Sequence, residues 1–445
     1  MTDMINPDYL PVIYKIPNPE NDIFDYDIDP EFSPNIDYPK FSLGFQHYLH
    51  QSKDKMEKTK EFEGKKKVFY VINKFERYID NYDESIGNIS KTYFNIINSP
   101  DILTRAFYKL WEIFYMFDLI DLDKKNFVSA HLAEGPGSFI QATMFYRDKF
   151  ATKGASKNDK YHAVTLHSEK KHVPPMEQSF IDYYNKEKPV RFILHKTYPR
   201  EMARLNPARD NGDITDLKTI QLFGGAFTEK KADFITADGG FDWSDENTQE
   251  QESAKLILAQ IIMALKIQAK GGNFVCKLYE TFTSVGSKYI AILKSFYSEV
   301  YMVKPLTSRP SNSEKYAVCI NYIEHKSNNE KITILEDLLK MMNNNIDDYL
   351  INIFPDYEFD TKFKQTIINL NIKIANRQFV QINEMSAFID KQNYRGDEYQ
   401  QRRDLQIVAS KYWISKFFPI QKEFDSIKKE IENMTNNLIS ASEIK

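Results

Sequence analysis

The chain has little cysteine, glycine or tryptophan, no long apolar run and no marked excess of either charge. Two cysteines in 445 residues, Cys276 and Cys319, exclude a disulfide scaffold and any cysteine-based zinc cluster. The 59 Lys and Arg almost balance 63 Asp and Glu, leaving a formal charge of −4. A chain so near neutrality does not coat nucleic acid as a polycation, so contacts with phosphates have to come from a local groove. No stretch approaches the roughly 18–20 uninterrupted apolar residues of a membrane span, and the N-terminal MTDMINPDYLP lacks the charged and apolar regions of a signal peptide. The expectation is a soluble, intracellular, reduced protein. With only 15 glycines, each glycine cluster is informative. Apolar residues are plentiful at 42%, with 27 Tyr and 32 Phe. That excludes disorder and suffices for one large domain with appendages, or for two domains.

The pattern divides the chain in three. Residues 1–60 are rich in Pro, Asp and Tyr; X-Pro steps disfavour helix before them, so an extended arm is expected, either wrapping the domain or mobile. A charged run, 53–67, reads as a solvated linker or helix face. Within 61–328, RAFYKLWEIFYMFDLI (105–120) is apolar nearly all round and predicts a buried helix. Strands then alternate with helices: strands at 126–132, 161–166, 232–237, 273–279, 299–305 and 314–323, helices at 138–150, 248–272 (ending in glycines) and 288–298. This alternation predicts an α/β fold with a mostly parallel, doubly wound sheet, whose ligand site lies at the carboxyl ends of the strands. Residues 329–445 show helical spacing with charged faces and no visible chemistry.

Five features could carry chemistry. The loop AEGPGSF, Ala133, Glu134, Gly135, Pro136, Gly137, Ser138 and Phe139, leaves a strand and opens a helix, so backbone N–H groups can approach a ligand there. It lacks the Lys-Ser/Thr of a P-loop and the GxGxxG of dinucleotide folds. TADGGFDW (236–243) puts Asp238 at a strand end, and a turn-forming Asp-Gly-Gly reads equally well there. Lys277 stands inside the apolar strand NFVCKLY, costly unless paired or facing the site, though an edge position with the amine snorkelling is open too. TSRPSNSEKY (307–316) gathers Ser, Arg, Asn and Glu314 before the last strand. Lys109 lies in the apolar helix ahead of the glycine loop, where alone it reads as an amphipathic fringe. Together they make a Lys-Asp-Lys-Glu constellation. His162, His167 and His172 recur at five-residue intervals without partnering carboxylates or cysteines and read as surface or core residues; no metal is expected.

In order and approximate spacing, TRAFYKL (104–110), AEGPGSF (133–139), NGDIT (211–215), ADGGF (237–241), ENTQ (246–249), FVCKLYETFT (274–283) and KPLTSRPSNSEKYAV (304–318) resemble the FtsJ-like ribose 2′-O-methyltransferases. The cap-specific mRNA branch of eukaryotes and large cytoplasmic DNA viruses is the nearest match. The likeness covers about residues 100–325. It implies a Rossmann-like class-I methyltransferase sheet and S-adenosylmethionine as cofactor. It also implies a catalytic tetrad of Lys109, Asp238, Lys277 and Glu314. The loop 133–139, with Thr104 and Lys109 nearby, is implied to hold the cofactor, and Asp213 to meet its adenosine. Asn247, Gln249 and Asn312 fall where the family contacts capped RNA, and Arg309 beside Asn312 is the best-placed phosphate contact. Ser138 departs from the second glycine usual in relatives. The composition suits an AT-rich genome and, with the resemblance, suggests a large DNA virus, hence a cytoplasmic replication site or the virion.

A ribose 2′-hydroxyl is a poor nucleophile, so the reaction needs in-line orientation, worth roughly 7–11 kcal/mol, and proton removal, worth about 10²–10⁴-fold. Lys277 is the expected base, its pKa lowered by burial and by Lys109. Other readings are a 2′-O-methyltransferase of uncapped rRNA or tRNA, or a methyltransferase fold kept as a structural module. The C-terminal helices are left to dock a partner in a capping or transcription assembly, to extend the RNA groove or to cover the sheet.

Overall fold

A computed structural model describes residues 9–37, 39–56, 68–76, 79–80, 88–95, 100–167, 173–187, 190–195, 211–240, 247–391 and 396–443. Ten strands occur among them: β1 (Val12–Lys15), β2 (Glu31–Ser33), β3 (Val128–Leu132), β4 (Lys160–Val164), β5 (Phe192–Leu194), β6 (Ala232–Ala237), β7 (Gln268–Leu278), β8 (Tyr297–Lys304), β9 (Lys315–Tyr322) and β10 (Tyr349–Asn352). Eight form one sheet in the order β1-β8-β9-β7-β6-β3-β4-β5. The run from β7 to β5 is parallel, whereas β9 lies antiparallel between β7 and β8. This is the Rossmann-like α/β arrangement. After β5 the chain returns to the far side of β3, so the sheet switches direction between β3 and β6, where Leu132 pairs with Ala237. A crevice opens outside strand ends at such a switch.

Side chains alternate across this sheet, and helices cover both faces. In β7, Phe274 and Cys276 enter the core shared with the helices Gln249–Ile267 and Ser284–Phe296; Val275 enters the other, shared with Ala106–Met116 and Ser138–Phe150. Alternation therefore turns Lys277 to the face of the Ala106–Met116 helix. That helix buries nearly every side chain, as its all-round apolar pattern requires.

Several expectations change. The helix from 249 stops at Ile267, and Gly271 and Gly272 lie inside β7, where Gly271 takes φ +73° and the pairing with β6 shifts. The described part of the N-terminal arm wraps the sheet. β1 pairs with β8, and Val12, Ile16 and Ile23 are buried in the core. Its end is not extended: Leu43–Asp54 is a helix in which Lys53 is buried rather than solvated. The rest of the charged run, 57–67, lies outside the described residues. Sequence reading passed over β5 and the helices Gln178–Glu187 and Leu217–Gly225, short elements in a Pro- and charge-rich stretch. The C-terminal region is helical at Asn328–Asn344, Thr361–Asp390, Asp397–Phe417 and Phe424–Ser442 but includes β10, which pairs with β2 of the arm. The last two helices pack on the Ala106–Met116 helix, and the last also on β1, burying Trp413, Phe417 and Phe424 beside Tyr108 and Tyr115. No helix among the described residues is long and apolar enough to cross a membrane.

Candidate active site

Register brings the charged residues together. Ala237 of β6 pairs with Cys276 of β7, so Asp238 and Lys277, one residue further along each, are neighbours. The Lys277 Nζ donates to the Asp238 backbone carbonyl at 2.9 Å and lies 3.2 Å from its Oδ1. Lys277 pairs in turn with Tyr316 of β9, whose hydroxyl donates to the same Oδ1 at 3.1 Å. Glu314 precedes β9, and Lys109 reaches it from the neighbouring helix at 2.7 Å. All four side chains of the constellation are at least four-fifths buried.

The electrostatics correct one expectation. Burial pushes the Lys277 amine down, but Asp238, Tyr279 and Glu314 outweigh it and hold its pKa above that of an ordinary lysine. Lys109 spends its charge on Glu314 instead. Burial raises the Glu314 carboxyl, yet Lys109, Lys277 and Lys304 keep it well below the usual range. Lys277 therefore stands as an ammonium beside Asp238 and Glu314 as a carboxylate beside Lys109, and Lys277 offers no neutral amine ready to take a proton.

The glycine loop borders this cluster. Gly137 has φ +116°, open to glycine and strained for other residues, and caps the helix Ser138–Phe150. A Cβ there would meet the Met176 sulfur at 2.7 Å, and one on Gly135 would strike the Pro174 carbonyl. Ala133 is also left-handed, at φ +51°. The Ser138 hydroxyl sits 2.7 Å from Thr104 Oγ1, and the Phe139 ring packs on Tyr316 with centroids 5.8 Å apart. Pro136 accepts from Glu177 N–H through its carbonyl. Glu134 is buried: its Oε1 accepts the Ile140 amide at 2.8 Å, while its Oε2 has no hydrogen-bond partner among the described residues. Burial, with Asp238 adding to it, pushes this carboxyl well up. An orphaned carboxylate oxygen beside Asp238, next to a glycine loop at the sheet switch, fits a ligand carrying positive charge, such as the sulfonium amino acid of S-adenosylmethionine. Asp213 lies in a turn hooked to the segment after β4 by the His167 amide donating to the Asn211 carbonyl at 2.8 Å; its Oδ1 accepts from Thr215 Oγ1 at 2.7 Å.

The residues assigned to RNA line up less simply. Arg309 donates to buried Glu76 at 2.6 Å and stacks over Tyr70, and Glu76 also meets Arg105 at 3.2 Å. These residues, with Thr104, Tyr108 and Lys109, border a pocket of about 440 Å³ beside the tetrad. Asn312 turns its Oδ1 to Lys304 at 2.9 Å, Gln249 Oε1 accepts from Ser313 Oγ at 3.2 Å, and Asn247 donates to Asp54 at 3.1 Å. Of the spaced histidines, His162 in β4 bonds His195 at 3.1 Å, and His172 lies outside the described residues.

Sequence reading missed three residues here. Tyr316 joins Asp238, Lys304 closes the loop before β9, and buried Glu112 accepts the Leu306 and Thr307 amides at 2.6 and 3.0 Å and the Trp413 indole at 2.9 Å. Lys304 ends the apolar strand YMVK much as Lys277 ends FVCK, so the same signal marks it.

The FtsJ-like methyltransferase family matches residues 102–322. Cap-specific mRNA (nucleoside-2′-O-)-methyltransferase 1A of Caenorhabditis briggsae is 30% identical over 220 residues, 46% of this chain and 24% of that protein. The corresponding methyltransferase 2 of Drosophila melanogaster is 24% identical over 367 residues, 81% of this chain and 49% of that protein. A C. briggsae protein named as the inactive methyltransferase 1B is 29% identical over 220 residues, 46% of this chain and 25% of that one. The chain thus spans about a quarter of these nematode relatives and about half of the fly relative. The relative named as inactive is about as similar as the other nematode relative, so identity alone says nothing of activity. Residues 102–322 are an FtsJ-like methyltransferase domain.

Proposed function

We propose that this protein is an S-adenosylmethionine-dependent RNA ribose 2′-O-methyltransferase that methylates the first transcribed nucleotide of capped mRNA. The observation that carries the reading is the meeting of the Lys277–Asp238 and Lys109–Glu314 pairs, two buried ion pairs close enough for Glu314 to act on Lys277, beside the carboxyl ends of β6 and β7. Burying four charges is expensive and adds little net stability, and what sets these pairs apart from the buried Lys53–Glu280 and Arg147–Asp159 pairs is their place together beside the glycine loop at the strand ends.

The cofactor, when bound, supplies an electrophilic methyl group on a sulfonium. The loop Ala133–Phe139 and Thr104 hold it, Glu134 and Asp238 face its positive charge, and Asp213 receives its adenosine. Lys277 orients the 2′-hydroxyl and takes its proton. Because Asp238 and Glu314 keep the Lys277 amine charged in the free protein, its ammonium proton has to pass to solvent as the complex forms, where a neighbouring cation and burial both favour the neutral amine, before it takes the proton of the 2′-hydroxyl. Lys109 and Glu314 brace the opposite side. The RNA runs past Asn247, Gln249 and Asn312. The pocket beside Lys109, lined by Tyr70, Arg105, Tyr108 and Arg309 over the fully buried Glu76, takes the 5′ end of the RNA, with the guanidiniums on the phosphate side. Arg309, bonded to Glu76, acts there as part of the wall. A partner in a capping assembly would meet the outward face of the C-terminal helices, where Leu405 and Val408 are exposed.

Methyl transfer from labelled S-adenosylmethionine to matched RNAs tests this. One RNA carries a 5′ N7-methylguanosine cap and the other a 5′ triphosphate. Label on the 2′-oxygen of the first nucleotide of the capped RNA alone is expected. Label on both moves the reading to an enzyme of uncapped RNA, and none, despite cofactor binding, to a structural module.

A further inference from the structure

The loop Pro305–Glu314 carries Glu314 into the cleft, and a lysine shut away from solvent closes it. Lys304 is 1% exposed. Its Nζ lies 3.0 Å from Ser308 Oγ, 2.9 Å from both the carbonyl and the Oδ1 of Asn312, and 2.8 Å from the Glu314 carbonyl. The Ser308 hydroxyl, accepting from Lys304, donates its own proton to Glu314 Oε1 at 2.9 Å. One ammonium therefore fixes Glu314 twice, directly at its backbone and through Ser308 at its carboxylate. That carboxylate in turn holds the Lys109 amine at 2.7 Å.

We infer that Lys304 is a positioning residue for methyl transfer: through Ser308 it sets the place of the Glu314 carboxylate, and through Glu314 that of Lys109. The inference rests on the proposed function. A ten-residue turn can be closed by backbone hydrogen bonds and an apolar side chain without the cost of burying an ammonium. Here the buried charge is spent where its relay ends on the carboxylate facing Lys109. Burial pushes the Lys304 amine well down and Glu314 opposes that shift, while the four acceptor oxygens around its Nζ call for the protonated donor; in that form it joins Lys109 and Lys277 in lowering the Glu314 carboxyl.

The full-length protein is tested as Lys304→Met and Ser308→Ala, each alone and combined with Glu314→Gln. Turnover and KM on capped RNA are measured, with the cofactor Kd by calorimetry. A hydrogen bond to a charged group is worth roughly 10–100-fold, which sets the expected fall in kcat for Lys304→Met, with a smaller fall for Ser308→Ala. Cofactor Kd stays within about threefold, and in the Glu314→Gln background neither substitution costs more than about twofold, because all three act through one carboxylate. Losses that add fully to that of Glu314→Gln, or that fall on KM and Kd alone, would make Lys304 a structural pin and overturn the inference. Should Lys304→Met not fold, Ser308→Ala decides by the same comparison. If the wild type methylates neither RNA, the proposed function fails on its own. The positioning is then read from the ¹³C carboxylate resonance of Glu314, assigned with Glu314→Gln. Its shift in Ser308→Ala is expected, and an unmoved resonance refutes the relay.

Discussion

The loops Ala133–Phe139 and Pro305–Glu314 border the same pair of residues, Lys277 and Asp238, but are held by different means. The first is shaped by backbone: a glycine at φ +116°, a left-handed alanine, and a glycine whose missing Cβ leaves room for the Pro174 carbonyl. The second is shaped by buried charge, with Glu112 gripping the Leu306 and Thr307 amides at its start and Lys304 gripping oxygens from Ser308 to Glu314 at its end. A loop that approaches a ligand through its backbone needs residues without side chains in the way. A loop that must keep a carboxylate ionised out of water needs cations fixed around it. Injury to the first should therefore appear as lost affinity, and injury to the charged cluster as lost turnover.

The sharpest division comes from Lys277→Ala. Methyl transfer should fall by the whole general-base contribution, about 10²–10⁴-fold, while cofactor Kd measured by calorimetry changes only a few-fold. Retained turnover would remove Lys277 from the chemistry. Gly137→Ala is the converse. Its Cβ meets Met176 at 2.7 Å from a backbone that disfavours any side chain, so cofactor affinity should drop at least tenfold and stability by about 1–3 kcal/mol. An unchanged Kd would show that the loop does not approach the cofactor.

A third test asks whether buried charge behaves the same way outside the cleft. Glu280, just beyond β7, meets Lys53 and His50 of the helix Leu43–Asp54. Burial raises its carboxyl, but Lys53 and His50 outweigh that and bring the pKa down to about 2. A depressed carboxyl stabilises the fold above its ordinary value of 4.5 and loses that contribution as pH falls towards 2. Glu280→Gln should then cost about 3 kcal/mol near neutrality and flatten the dependence of stability on pH between those values, with methyl transfer at pH 7 little changed. Urea unfolding at several pH values measures it, and parallel wild-type and variant curves would contradict the assignment.

Much of this was legible beforehand. Val128–Leu132, Ser138–Phe150 and Ala232–Ala237 fall at or within two residues of their expected bounds, because apolar runs between turns announce buried parallel strands and their helices. The helix before β7 was drawn too long, since Gly271 and Gly272 read as a helix stop, whereas a bulged strand uses them equally well. Lys304 and Glu112 went unnoticed because a charged residue in an apolar segment reveals its partner only when strands and helices are assembled. Trp413 lies in the stretch 329–445, where the spacing shows helices and no chemistry. Its indole in fact holds Glu112, tying the C-terminal helices to the loop that bears Glu314.

The sequence by itself determined the alternation of strands and helices, the glycine loop at the end of β3 and the placing of Asp238 at one strand end and Lys277 within the next strand, since these follow from local periodicity. Tertiary structure decided which charges face one another and hence their protonation. The pKa of Lys277 rises instead of falling because Asp238 and Glu314, 39 and 37 residues away along the chain, come within its reach. Such interactions depend on distance in space and on exclusion of water, and neither is written in the order of the residues.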